Sequence, residues 1–388
     1  MTQTTLKKGF QEFFKEDPEY YIDTGGRFEI IGNHTDHNYG LCLVANCSLR
    51  CKASLKLDDN QVIIKSKGYK DFGFSLADLS LKTKEYGTTI ALAKGTLARL
   101  KELGYKIGGF KAYIESDIPN GSGVSSSAAI ESLFGYIINY LYNDNKITPL
   151  IIAQTGQYAE NVYFNKPCGL LDQIGTSFPS SNFIIFYDPK NPIVSTIDFN
   201  LPLTLYLIKS LGDHSALTPL YSAIKDNMHL VAKKLEDVDH LGEIKDINNI
   251  LERIDALDIK EKAKKDGKHF FIENENVLVA KKALEEEDLE SFLSAIRASQ
   301  KTSNENIENT YVRGEYEGSP QDIVDTLTPL ISNKGAIRLH GGGFKGTTLA
   351  FIKNEFVPEF DEILKKHYSS DRYFKVAISS SACNFKKY

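Results

Sequence analysis

At 388 residues the chain exceeds what one hydrophobic core ordinarily supports, so two units of roughly 150 to 200 residues each are the first expectation. Apolar residues at 41% and charged residues at 25% exclude a disordered chain, and a net charge of -5 with lysines and glutamates interspersed offers no basic face to nucleic acid. The five cysteines, Cys42, Cys47, Cys51, Cys168 and Cys383, fit neither zinc-ligand nor disulfide-scaffold spacing and read as reduced, cytoplasmic thiols.

Met1 to Tyr20 mixes Lys, Glu, Asp and Phe without an apolar stretch, so neither a secretion signal nor a membrane span is expected. Asn33-His34-Thr35 and Asn46-Cys47-Ser48 match the glycosylation sequon, which has meaning only in a secreted protein. From Arg27 to Lys67, short apolar runs broken by Gly, Asn and Asp have the texture of strands and turns. Within it, Gly25 to Asn38 packs hydrogen-bonding groups around a short apolar run. Such density suits a polyhydroxylated ligand: Asp36 accepts from two hydroxyls, Asn33 and His34 donate or accept, and Arg27 meets a phosphoryl group. The plain alternative is an Asx-rich surface turn. His34 and His37 have a His-x-x-His spacing, a weak metal signal to which no metal is assigned. Asp71-Phe72-Gly73 spells a kinase tripeptide but lacks the companion H-R-D loop.

Apolar periodicity lengthens from strand-like to helical over Gly87 to Leu103, and again over Ser125 to Tyr142, where Ile130, Leu133, Phe134, Ile137 and Leu141 share one helix face. Before this second helix comes an alternating run, Phe110 to Ile114, and then Ile118-Pro119-Asn120-Gly121-Ser122-Gly123-Val124-Ser125-Ser126-Ser127-Ala128. Strand, glycine loop, helix is the order of a phosphate cradle: glycines permit close backbone approach, serines supply hydroxyls, and the first helical turn leaves N–H groups free. A serine-capped turn is the plain alternative. No Gly-Lys-Ser/Thr closes the loop, so it is not a Walker A motif. Thr148 caps, and Pro149 opens, a helix expected to run to about Tyr163.

Asp172 lies amid apolar residues and glycine in Cys168 to Gly175. Burial would raise its pKa and a cation such as Arg27 would lower it; a general base and a turn-holding Asp both fit. A turn-rich stretch at 188–192 places a boundary near residue 200, giving units 1–200 and 201–388. Residues 226–310 read as solvated helices packed by one face. Strands are expected near Ala336 to Leu339, Thr347 to Ile352 and Phe374 to Ile378, with a helix near Glu359 to His367. The mixture implies an α+β fold. Gly341, Gly343 and Gly346 spell a dinucleotide fingerprint, but a strand-like run follows instead of a helix.

Together and in this order, these pieces resemble the galactokinases within the GHMP small-molecule kinases. Gly26 to Asn38 resembles the signature G-R-x-N-L-I-G-E-H-T-D-Y-N, Pro119 to Ala128 the loop P-x-G-x-G-L-S-S-S-A, and Gly341 to Gly346 the motif G-A-G-F-G-G. Cys168 to Gln173 is similar to C-G-I-M-D-Q, and His214 with Tyr221 to R-H-x-x-x-x-x-x-Y. The resemblance implies a ribosomal protein S5 domain 2-like first unit and a ferredoxin-like second one. It implies that Asp172 and Arg27 are catalytic, and that Asn33, His34, Thr35, Asp36, Gly169 and Tyr221 line the sugar site. Gly121, Ser122, Gly123, Val124, Ser125, Ser126 and Ser127 would hold ATP phosphates, with Ser127 and Glu160 holding Mg²⁺. Without the resemblance, Glu160 is an ordinary solvated helix glutamate.

The chain departs from the pattern at Glu29, where the family has Asn, at Asn33, where it has Glu, at His37, where it has Tyr, and at Lys345, where it has glycine. Lys345 has two readings, near a nucleotide phosphate or in solvent. The expected activity is phosphorylation of α-D-galactose at O1 by Mg·ATP. The alternatives are a kinase for N-acetylgalactosamine or arabinose, and a catalytically silent sugar-sensing regulator. A small sugar and ATP are the expected partners, without nucleic acid or membrane.

Overall fold

The computed structural model describes residues 3–119, 121–186, 188, 190–212 and 217–388. In chain order the regular elements begin with α1 (Gln3–Phe14), β1 (Tyr20–Ile31), β2 (Leu41–Asp58), β3 (Gln61–Ser66), β4 (Phe72–Ser75), α2 (Thr89–Glu102), β5 (Gly109–Ser116), α3 (Ser126–Tyr142), α4 (Pro149–Tyr158), α5 (Leu171–Ser177), β6 (Ser181–Ile185) and β7 (Ile193–Ile197). They continue with β8 (Leu203–Lys209), α6 (Thr218–Glu236), α7 (Ile250–Asp255), α8 (Glu261–Glu285), α9 (Leu289–Thr302), α10 (Pro320–Ile331), β9 (Gly335–His340), β10 (Thr347–Lys353), α11 (Val357–His367), β11 (Tyr373–Val376) and β12 (Cys383–Lys387).

An eight-stranded sheet runs β12-β1-β2-β5-β3-β4, with β6 and β7 continuing from the other half of the long strand β2. Every pairing in it is antiparallel except β3 with β5. A second sheet, β11-β8-β10-β9, is wholly antiparallel. The expected boundary near residue 200 falls between β7 and β8, where the chain passes from one sheet to the other. β12 then crosses back, pairing Cys383 to Lys387 with Thr24 to Tyr20, so the last strand belongs to the first sheet. One hydrophobic cluster joins both halves, from Ile22 and Phe134 to Leu207, Phe292 and Leu349.

The helical face read from the sequence is inside. Leu133, Phe134 and Ile137 of α3 are fully buried, and Ile130 and Leu141 pack against them at its edge. Thr148 accepts from the Ile151 N–H with Pro149 in the first turn, as its cap chemistry requires. The helix then widens instead of running on: Ala159–Tyr163 is a π-helical turn, with Phe164 N–H bonding to Ala159 O at 2.9 Å. Close packing accompanies it, since a β-carbon on Gly95 of α2 would come within 2.8 Å of Ala159. No helix among the described residues is long and apolar enough to cross a membrane.

Candidate active site

Arg27 sits where the β1–β2 register shifts, between Gly25 and Arg27, an irregularity that re-aims a side chain out of the ladder. The residue is 5% exposed. Nε donates to Asp172 Oδ1 at 2.7 Å and Nη1 to the Gly123 carbonyl at 2.6 Å. The backbone N–H of Arg27 bonds Val124 O at 3.0 Å. Two glycines allow this approach: a β-carbon would meet Val124 O at 2.6 Å from Gly26 and Arg27 Cβ at 2.6 Å from Gly175.

The loop before α3 has positive φ at alternate positions, +68° at Gly121, +70° at Gly123 and +56° at Ser125. Alternating conformations of this kind turn successive N–H groups toward a common side, an anion-binding concavity. Ser125 pays a steric cost for this that glycine would not, and its hydroxyl donates to Asp172 Oδ2 at 2.5 Å. Gly121 and Ser126 are exposed, Ser122 and Val124 buried. Asn120 lies outside the described residues. Burial pushes the Asp172 carboxyl up, but the Arg27 charge and the Arg27 and Ser125 hydrogen bonds outweigh it, leaving the group below the ordinary carboxylate range.

Ser127 opens a second carboxylate cluster. Its hydroxyl donates to Glu160 Oε1 at 3.3 Å, and the exposed Lys166 brings Nζ to the same oxygen at 2.8 Å. Gln173 Nε2 bridges Glu160 Oε2 at 2.8 Å and Glu131 Oε2 at 3.1 Å. Glu160 is 1% exposed, on the helix face that Gly156 and Ala153 bury one and two turns earlier, and the helix widens into its π-helical turn there. Such turns recur at functional sites. Burial, then the Glu160 charge, holds Glu131 well above the usual range, and its Oε1 has no hydrogen-bond partner. A hydroxyl and a carboxylate at this spacing are hard oxygen donors suited to a divalent cation that takes its remaining ligands from phosphate and water.

The turn after β1 carries the polar segment. Asp36 lies against Gly169, whose β-carbon would fall 2.1 Å from Asp36 Oδ2. Burial, then the negative charges of Asp172 and Glu29, raises the Asp36 carboxyl from 3.8 to about 7. His34, in the left-handed region at φ +58°, places Nε2 2.9 Å from Gly342 O and Nδ1 3.1 Å from His37 Nε2. Only a protonated Nε2 can donate to that carbonyl, so Nδ1 of the neutral ring accepts from His37. Burial lowers the His34 ring to about 4. Its ring stacks on Tyr221 at 6.2 Å between centroids.

The residues of this polar segment do not all face one space. Thr35 is fully buried, its hydroxyl 2.9 Å from Gly32 O and 2.7 Å from Leu41 O, where it closes the turn. Asn33 is 1% exposed with protein partners on every side. Lys345 is ion-paired with Glu315 at 2.5 Å. His214 lies outside the described residues. Glu131, Lys166 and Gln173 complete the carboxylate cluster although composition and spacing did not single them out. Glu131 had a signal: it is four residues after Ser127, hence on the same helix face.

These features match known proteins along the whole chain. A galactokinase of Clostridium beijerinckii is 30% identical over 377 residues, covering 94% of this chain and 93% of its own. This chain belongs to the galactokinase family. A galactokinase of Ligilactobacillus salivarius is 28% identical over 381 residues, covering 95% of each chain. Residues 91–179, which carry the glycine loop, Glu160 and Asp172, match the model of the GHMP kinases N terminal domain. Residues 8–56, which carry Arg27 and the polar turn, match the galactokinase galactose-binding signature. In fold, the chain is similar to Lactococcus lactis galactokinase complexed with galactose, with a TM-score of 0.81 at 23% identity over 97% of this chain and 98% of that one. Methanococcus jannaschii mevalonate kinase aligns with a TM-score of 0.64 at 15% identity, over 93% and 98%. The two-sheet α+β architecture is that of the GHMP kinases.

Proposed function

We propose that this protein is a galactokinase that transfers the γ-phosphoryl group of ATP to O1 of α-D-galactose, giving galactose 1-phosphate and ADP. The observation that carries the reading is the meeting of Arg27, Asp172 and Ser125 at one point. There β1 of the galactose-binding signature, α5 and the glycine loop before α3 come together. Membership of the family supports the choice of sugar and nucleotide.

In this reading Gly121 to Ser127 hold the triphosphate through backbone N–H groups and hydroxyls. Arg27, buried and fixed on both sides, faces the charge of the phosphoryl group in transfer without reorganising. Asp172 orients the attacking hydroxyl. Its depressed pKa makes it a weak base, which suits a loose transition state in which the proton leaves late and positioning dominates. Asp36, with Gly169 against it, accepts sugar hydroxyls, and Tyr221 stacked on His34 walls the site.

Ser127 and Glu160 would hold Mg²⁺, which when bound would supply positive charge against the phosphates. Lys166, already on Glu160, is the cation that this site would have to displace. The same proposal places the protein in the cytoplasm, since all five cysteines are free thiols.

ADP release measured over galactose, N-acetylgalactosamine, arabinose and glucose tests the reading. Galactose should be turned over with the highest kcat/KM; galactose performing no better than glucose defeats the assignment.

A further inference from the structure

Asn33 offers a substrate almost nothing. Its Nδ2 gives both hydrogens to protein acceptors, Glu29 Oε1 at 3.0 Å and Gly341 O at 2.7 Å. Its Oδ1 accepts from Asn309 Nδ2 at 2.8 Å. The backbone is also occupied: N–H meets Glu273 Oε1 at 3.2 Å, and O lies 2.8 Å from His269 Nε2. An amide has two donors, and both are spent.

These bonds lead to the glycine loop between β9 and β10. Gly341 O accepts from Asn33, Gly342 O from His34 and from Asn309 at 3.2 Å, and Gly343 O from Tyr221 at 3.2 Å. Two successive carbonyls are thus held from the polar turn, and the third from Tyr221 of α6. Gly341 in turn borders the reacting centre, because a β-carbon there would sit 3.8 Å from Arg27 Nη2 and 3.9 Å from Gly123 O.

The charge balance leaves room for one carboxylate in the pair. Glu29 Oε1 also accepts from Arg338 Nη2 at 3.1 Å, and Arg338 is fully buried. Glu29 therefore already neutralises Arg338. A second carboxylate at 33 would face Glu29 across the present hydrogen bond, and would turn a lone pair toward Gly341 O. Buried like charges at that spacing are costly. Relative to the signature that the segment resembles, amide and carboxylate have exchanged places.

We propose that Asn33 is a positioning residue, not a sugar ligand: with Glu29 as its obligate partner it pins Gly341, and through it the glycine loop, against Arg27. The proposal rests on the kinase activity assigned above. Loss of the strap should therefore slow transfer without weakening sugar binding.

Two measurements test it. Asn33→Ala should lower kcat for galactose by about 30-fold or more while the Kd for galactose, measured by calorimetry, changes less than about threefold. A rise in Kd larger than the fall in kcat makes Asn33 a ligand and overturns the proposal. The second measurement is a cycle of Glu29→Gln, Asn33→Asp and the double variant, read by melting temperature without sugar and by kcat. Asn33→Asp should lower both, and adding Glu29→Gln should raise the melting temperature and recover kcat at least about fivefold. Additive losses overturn the pairing. The melting arm needs no turnover, so it also decides the pairing if a variant is inactive. Wild-type protein that fails to phosphorylate galactose would defeat the functional reading instead.

Discussion

Replacing Asp172 by Asn separates the roles of its charge and its shape. Asp172 Oδ1 takes the Arg27 Nε–H at 2.7 Å and Oδ2 the Ser125 hydroxyl at 2.5 Å. An amide keeps one acceptor but turns an NH₂ toward the other donor and removes the negative charge. Breaking a fully buried pair costs about 3–5 kcal/mol, but the Asp172 side chain is 37% exposed, and Arg27 retains the Gly123 carbonyl. Solvent screening brings the expected loss of stability to about 1–2 kcal/mol, a shift of only a few degrees in melting temperature. The loss in turnover should be larger, about 10²–10⁴-fold in kcat, or roughly 3–5 kcal/mol of transition-state stabilisation. Galactose binding by calorimetry should weaken by less than about tenfold, because the variant loses an interaction used mainly in the transition state. ADP release gives kcat and a thermal melt confirms the fold. A variant that melts like wild type and keeps kcat within about threefold would remove Asp172 from the chemistry.

Gly169→Ala should drive Asp36 from its place, since the new β-carbon would fall 2.1 Å from Oδ2; KM for galactose should rise by about tenfold or more with kcat changed less. Glu160→Gln should raise the Mg²⁺ concentration for half-maximal rate by about tenfold or more and leave galactose binding intact, read by titrating Mg²⁺ at fixed ATP. With Asp36 raised to about 7, kcat/KM for galactose should climb with pH through that value as the acceptor form fills. Stability carries the opposite sign. Between 3.8 and about 7 the folded protein binds the proton that the unfolded chain has released, so this group's contribution falls as pH rises. Asp36→Asn should therefore gain melting temperature over wild type at pH 8 and not at pH 4; equal differences at both would place the Asp36 pKa near its ordinary value.

Local pattern was legible wherever the cause is local. The apolar period of α3, the Thr148-Pro149 start of α4 and the glycine spacing of the loop before α3 act within a few residues, so the sequence alone specified them. Arg27 and Asp172 could be named as candidates from their neighbours. Arg27 was named as a cation that would lower the Asp172 pKa, but whether the two meet was not decided, because 145 residues separate them and only the packing of β1 against α5 and the glycine loop joins them. The same holds for β12, whose pairing with β1 spans nearly the whole chain, and for the return it forces across the expected boundary.

Asn33 shows the limit most clearly. Its residue type and its place in the polar turn pointed to a ligand, and chemistry alone could not say whether its amide was free. Glu29, Gly341 and Asn309 come from three distant parts of the chain, and it is their convergence that consumes its hydrogen bonds. Glu160 went the other way: a residue that reads as a solvated helix glutamate lies on the buried face of its helix, beside Ser127. A sequence determines which groups can bond, while burial and long-range contact determine which of them are still available to a substrate.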